Sequence, residues 1–281
     1  MFNKSSKGFI KEDPVPPDYG TSCPYNKGIS ETIFDGYTPL LDEHHIIQEN
    51  EIPEDFKYGT TVNQCDISIR MDFVRKVYSI LFVQIIASVL ISGVLTMNKM
   101  LREYIVSNPM IIFFSMFGSI GTLLFLSWKR RSCPLNFYLL ALFTLFESFT
   151  IGTIVSFYNS NVVLEALLIT TGIFLGLTLF TWQNRYDFSS IGGYLYFGLI
   201  VFLSGGLVSY FFPYNRTFDL LYAMFGALIF IGYILYDTSN LMKHLSPEEY
   251  IVGAVSLYID IVNLFLQILN LIAKLDGGDN E

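Results

Sequence analysis

Seven long apolar stretches, at 77–97, 109–128, 135–157, 162–182, 191–212, 218–240 and 250–273, dominate the chain from Val77 onward. At about 1.5 Å per residue, each can cross the roughly 30 Å of hydrocarbon in a bilayer. Helix-ending residues separate them: Asn108-Pro109, Cys133-Pro134, Asn159-Ser160-Asn161, Pro213-Tyr214-Asn215 and Ser246-Pro247. The pattern predicts an all-α integral membrane protein of seven transmembrane helices joined by short loops.

Positions 1–70 carry no such periodicity and hold six of the ten prolines. A segment this polar and Pro-rich buries too little surface to offset the entropy of ordering. It is expected to be a disordered acidic tail, 1–70, ahead of a seven-helix transmembrane domain, 71–281. No short apolar core with a small-residue cleavage site follows Met1, so the first span is expected to target the chain.

Composition sharpens the picture. The chain is 52% hydrophobic and 15% charged, whereas soluble domains carry about 25% charged residues; soluble enzyme classes are excluded and no enzyme activity is expected. Residues 1–69 hold five Lys and no Arg against twelve Asp and Glu, a balance of −7 out of a total of −8. Such a tail offers nucleic acid no basic face. Cys23, Cys65 and Cys133 form neither a CxxC pair nor an even set, which favours a reducing, cytosol-facing location over disulfides or zinc.

Eight Lys and Arg flank the helix ends on the tail side (Arg70, Arg75, Lys76, Lys129, Arg130, Arg131, Arg185 and Lys243) and four flank the opposite ends (Lys99, Arg102, Arg216 and Lys274). The positive-inside rule then predicts a cytosolic N-terminus. That orientation opposes a G-protein-coupled receptor, and no Asp-Arg-Tyr follows the third span. The sequon Asn215-Arg216-Thr217 falls on the non-cytosolic side, close to the bilayer.

Ionisable side chains within a span are costly and mark function. Four stand out, all acids: Glu147 in the third span, Glu165 near the start of the fourth, Asp237 late in the sixth and Asp260 in the middle of the seventh. The three histidines, His44, His45 and His244, lie outside the spans, which removes an intramembrane zinc or haem site. In the seventh span Gly253, Ser256, Asp260, Asn263, Gln267 and Asn270 recur every three or four residues and form one stripe. Interhelical polar packing accounts for Asn and Gln on such a stripe; it accounts poorly for a carboxylate.

Asp237 lies nine residues before Ser246 and Asp260 fourteen after it. A tight hairpin therefore sets them about five residues, or roughly 7 Å, apart along the axis. Carboxylates brought that close away from water do not both ionise readily and titrate as a unit. The pair would act as a pH-sensitive latch, closed by a shared proton and loosened by two charges. The alternative is that each Asp is separately solvated or hydrogen-bonded.

The run LLYAMFGALIFIGYILYDTSNLM followed by SPEEYIVGAVSLYIDIVNLFLQILNLI resembles the closing signature of the Bax inhibitor-like (TMBIM) family, especially its Lifeguard branch. There the sixth helix ends in Tyr/Met-Asp-Thr and the seventh carries Leu-Tyr-x-Asp-x-x-Asn-Leu-Phe. FTLFESFTIGTIVSFY and TWQNRYDFSSIGGYL match as well, so the likeness spans about residues 70–273. It implies a seventh helix wrapped by the other six. It also implies a slow calcium leak from an intracellular store, gated by Asp237 and Asp260, with roles in calcium homeostasis and suppression of cell death. By the same likeness Glu147 matches a third-helix Glu of the Golgi and Lifeguard branches. Some bacterial relatives set a second-helix Arg against the aspartates; PMIIFFSMFGSIGTLLFLSW has none, so closure would rest on protonation or another donor.

Calcium prefers several oxygen ligands. Asp237 and Asp260 with Glu147 and Asn263 fall short of a tight cage and suit a weak transit site, since a conducted ion must also leave. Glu165 fits either the non-cytosolic mouth or a snorkelling acid at a helix end. No cofactor is expected, with calcium the permeating ion. Membrane lipids and apoptosis-regulating or stress-response membrane proteins are the other expected partners.

Two rivals come from other classes. An intramembrane aspartyl protease also needs two close carboxylates, but a presenilin-like enzyme requires Gly-x-Gly-Asp and a later Pro-Ala-Leu. Here Leu257-Tyr258-Ile259 precedes Asp260 and no Pro follows Pro247. A non-conducting scaffold would bind regulators through its tail and small-residue faces, such as Gly172-x-x-x-Gly176, although such faces more commonly pack within a bundle. The expected compartment is the endoplasmic reticulum, with the Golgi as an alternative. Tyr37-Thr38-Pro39-Leu40 resembles a tyrosine-based sorting signal that would favour endosome or vacuole.

Overall fold

A computed structural model describes residues 61–62, 67–130, 132, 134–183, 188–211 and 216–276. Outside the described residues lie the tail to residue 60, with Tyr37-Thr38-Pro39-Leu40, His44, His45 and Cys23, and also Cys65, Arg131, Cys133, Arg185 and Asn215.

The described residues form α1 (Ile67–Met97), α2 (Lys99–Ser107), α3 (Pro109–Trp128), α4 (Leu135–Val155), α5 (Ser160–Gln183), α6 (Gly192–Phe211), α7 (Arg216–Lys243) and α8 (Tyr250–Asp276). A short 3-10 turn, Phe188–Ile191, leads into α6, and among the described residues there is no strand. All but α2 are long and apolar enough to cross a membrane. The chain is an all-α integral membrane protein with seven spans.

Two local differences from the apolar pattern have physical causes. The first span is expected at 77–97, yet α1 starts at Ile67, inside the segment assigned to the tail. The unbroken apolar run begins only at Val77; the earlier turns stay helical because Phe73, Val74 and Val77 bury against the bundle while Arg75 and Lys76 are exposed. The second difference is α2, which is too short and too mixed in polarity to register as a span. Asn98 caps it, its side chain accepting the Leu101 N–H at 3.3 Å. Ile105 is buried while Met100 and Tyr104 are exposed, the division expected of a helix lying along an interface.

The ends of the bundle alternate as seven spans require. At the end where α1 begins, the Val62 N–H donates to the Leu245 carbonyl at 2.9 Å and Arg130 pairs with Glu249 at 3.3 Å. At the other end Lys274 pairs with Asp219 at 3.4 Å, and Arg216 donates to the Lys274 carbonyl at 3.1 Å.

The seventh span, α8, is central: 67% of an 18-residue apolar stretch of it is buried, against 6% of such a stretch in the span containing α6. Helices α1, α4, α5 and α7 pack on α8, while α3 leans on α4 and α6 on α7. Ala254, Leu257, Tyr258 and Leu264 are completely buried, which an all-round apolar helix with a polar stripe achieves only inside a bundle. Gly172 and Gly176 do not serve packing inside this bundle, since a methyl group added at either would meet nothing within 4 Å.

Candidate functional site

The α7–α8 hairpin is the best-packed pair in the bundle, and glycines set its register. A Cβ on Gly253 would lie 2.8 Å from Leu241 Cδ1; one on Gly226 would lie 3.0 Å from both Cγ and Cδ of Gln267. The two backbones therefore close together at both ends of their overlap. Pro247 ends α7's continuation, and the turn is pinned by His244 N–H to Asn240 O at 2.8 Å and Glu249 N–H to Ser246 O at 2.9 Å.

In this register Asp237 stands level with Ser256, and Asp260 lies one helical turn further along the same face of α8. The Asp237 carboxyl meets both the Ser256 hydroxyl and the Asp260 carboxyl. The axial offset is four residues, about 6 Å, slightly less than the hairpin count predicts, and the side chains span it. Asp260 is only 5% exposed and its Oδ2 is enclosed, with no hydrogen-bond partner among the described residues.

The groups around the pair are polar but uncharged. Tyr233, one turn before Asp237 on α7, is within Coulombic range of both aspartates, as it is of Tyr236 and Tyr196. Gly192 makes room for the Tyr236 ring, whose Cε2 would lie 2.7 Å from a Cβ there. Thr238 and Ser239 are buried directly after Asp237, and Ser239 Oγ accepts the Phe188 N–H at 3.3 Å. Among the described residues no Lys, Arg or His acts on either carboxyl.

The other predicted site residues lie apart from the pair. Glu147 faces Ser119 of α3, at the α3–α4 contact. Asn263 turns its amide back on its own helix, donating to the Ile259 carbonyl at 2.9 Å. Glu165 is exposed near the start of α5. Among the described residues no three His, Cys, Asp or Glu side chains gather to hold a metal ion.

Sequence reasoning missed a buried polar seam between α1, α4 and α8. Ser88 Oγ sits 2.9 Å from Ser148 Oγ and 2.7 Å from the Tyr258 hydroxyl, while Gln84 Nε2 donates to Thr144 Oγ1 at 3.1 Å. Hydroxyls four residues apart on α1 (Ser88, Ser92) and α4 (Thr144, Ser148) were the available signal. Serines are common enough in spans that only the packing shows these converge.

Chemically, the aspartate pair can hold one proton between two carboxyls, an O–H···O⁻ bond of the strong, charge-assisted kind. With that proton gone, two like charges face each other in a poorly solvated site and attract a cation.

Residues 70–277 match the family described as "Inhibitor of apoptosis-promoting Bax1". The chain is 43% identical over 223 residues to the "Golgi anti-apoptotic protein" of Vaccinia virus (strain Lister), covering 79% of this chain and 94% of that protein. It is 43% identical over 220 residues to "Protein lifeguard 4" of Mus musculus, covering 78% and 92%. The "Bax inhibitor 1" of Schizosaccharomyces pombe is 39% identical over 233 residues, covering 83% and 88%.

Proposed function

Because the chain belongs to the Bax1-I family of inhibitors of apoptosis-promoting Bax1, we propose that it suppresses cell death by acting as a pH-sensitive calcium leak in an intracellular membrane. The observation that carries this reading is the face-to-face placement of Asp237 and Asp260 on the two closest-packed helices. A shared proton draws α7 and α8 together. When both carboxylates are charged they repel, loosen the hairpin and offer a divalent cation oxygen ligands. Two carboxyls and the Ser256 hydroxyl form a weak site, which suits passage better than storage. Glu147 is assigned to a further station on the ion path, at the α3–α4 contact.

The eight-to-four asymmetry of Lys and Arg around the helix ends supports a cytosolic N-terminus. We assign the protein to endoplasmic reticulum or Golgi membranes, the latter on the name of the viral relative. Membrane proteins that regulate apoptosis are its proposed partners.

The test is calcium flux into liposomes holding the purified protein, scanned from about pH 5 to 8, for wild type, Asp237→Asn and Asp260→Asn. Flux that rises with pH in the wild type and loses its pH dependence in either variant supports the leak. No flux at any pH from correctly inserted protein overturns it and leaves a non-conducting scaffold as the function.

A further inference from the structure

Helices α1 and α5 both pack on α8, and residues of both line an open crevice of about 490 Å³ on the surface of the bundle. One wall is a stripe on α1, with Arg75, Ser79 and Phe82 at spacings of three and four residues. The other wall is Phe174 and Leu175 of α5. The Tyr78 and Phe174 rings, both in its lining, lie 6.5 Å apart, and the Tyr78 hydroxyl is buried. The crevice is therefore apolar along its length and cationic at one end.

Its dimensions match a membrane leaflet. From Arg75 to Ile85, the last α1 residue in the lining, is ten residues, or about 15 Å of helix, half the roughly 30 Å hydrocarbon thickness. Arg75 stands two residues before the first apolar stretch, where a span's end would meet lipid headgroups. Its side chain is 76% exposed and its contact with Asp72, at 3.8 Å, is long, so that pair holds the guanidinium weakly. A planar cation at this height suits a phosphate.

We propose that this crevice binds one anionic glycerophospholipid, with an acyl chain between Phe82 and Leu175 and its phosphate on Arg75. Here walls carrying Tyr78, Phe82 and Phe174 would confine one chain beneath the Arg75 guanidinium. The site is independent of the calcium leak.

Native mass spectrometry of the detergent-purified full chain tests it, with phosphatidic acid, phosphatidylinositol and phosphatidylcholine as probes. Wild type is expected to retain one anionic lipid at least about fivefold better than phosphatidylcholine, the effect of one Arg at a charged surface. Arg75→Gln removes that preference, lowering retention of the two anionic lipids more than that of phosphatidylcholine. Ser79→Trp, which fills the crevice, lowers retention of all three lipids, while Lys129→Gln, at a different loop, changes nothing. Arg75 and Ser79 are both exposed, so these variants are expected to fold, and helical circular dichroism checks that they do. Equal retention of anionic lipid by wild type and Arg75→Gln overturns the proposal. So does displacement of the lipid by chain-free glycerophosphate, which would reveal a site for phosphate alone.

Discussion

The Val62 N–H donates to the Leu245 carbonyl across 2.9 Å, and the Val62 side chain is completely buried. The chain ahead of the first span is thereby fastened to the turn that joins the two aspartate-bearing helices. Arg130 holds the same turn from the α3–α4 loop through Glu249. Val62→Pro deletes the donor, a hydrogen bond worth about 0.5–1.5 kcal/mol. Amide exchange at residues 244–249 should then quicken several-fold while exchange in the middle of α4 stays unchanged. Unaltered exchange in the turn would mean that this contact does not hold it.

Asp260→Asn separates charge repulsion from shape. At high pH the wild type holds two facing charges, and two like charges about 4 Å apart repel by about 4 kcal/mol at an effective dielectric of about 20. The variant holds one charge and an amide that can donate to it. Thermal unfolding in detergent should show the wild type losing stability from pH 5 to 8, by about 2–4 °C for each kcal/mol, and the variant losing less, because it still charges one buried carboxyl but without the repulsion. Parallel curves for the two proteins would show that the carboxyls do not feel each other.

The spans, their number and the aspartate pair are legible in the sequence because each rests on one strong rule: hydrocarbon thickness for the helices, and the rarity of buried acids for the site. Register is less legible. Counting from Ser246 places Asp237 and Asp260 five residues apart, but the offset is set by how closely Gly253 lets Leu241 approach, which depends on shape rather than hydropathy. The Ser88–Ser148–Tyr258 seam is illegible for a related reason, since hydroxyl residues are common in spans and each can satisfy itself on its own helix. Ser88 Oγ does so, donating to the Gln84 carbonyl at 2.8 Å. Glu147 illustrates the limit of counting acids: depth marks it as functional, but only packing shows that it faces Ser119 rather than the aspartates.

Two glycine substitutions should behave oppositely. A Cβ on Gly226 would lie 2.6 Å from Phe202 Cε2 as well as against Gln267, whereas one on Gly93 would meet nothing within 4 Å. Gly226→Val overpacks the α7–α8 contact and should cost about 1–3 kcal/mol. Gly93→Ala should raise stability by about 0.5–1 kcal/mol, the gain in helix propensity over glycine. Melting temperatures of the two variants against wild type check both signs. Destabilisation by Gly93→Ala would place that residue in a contact the structure does not contain.

The polar seam gives the sharpest energetic test because its members can be orphaned and rescued. The Tyr258 hydroxyl is satisfied by Ser88 and Ser148 together. Replacing both serines by Ala leaves that hydroxyl inside the bundle with neither partner, and an unsatisfied buried group costs about 1–3 kcal/mol. Tyr258→Phe alone removes one set of bonds, but both serines keep a backbone acceptor, Ser88 donating to the Gln84 carbonyl and Ser148 to the Thr144 carbonyl, so its cost should be smaller, near the roughly 0.6 kcal/mol typical of hydrogen bonds within membranes. Adding Tyr258→Phe to the Ser88→Ala, Ser148→Ala protein removes the orphan and should restore part of the lost stability, measured by unfolding in detergent or by steric trapping in bilayer discs. If the triple variant is instead less stable than the double by the full cost of Tyr258→Phe, the effects are additive. The seam would then contribute through packing, with the Phe143 ring 5.9 Å from Tyr258 as its main contact.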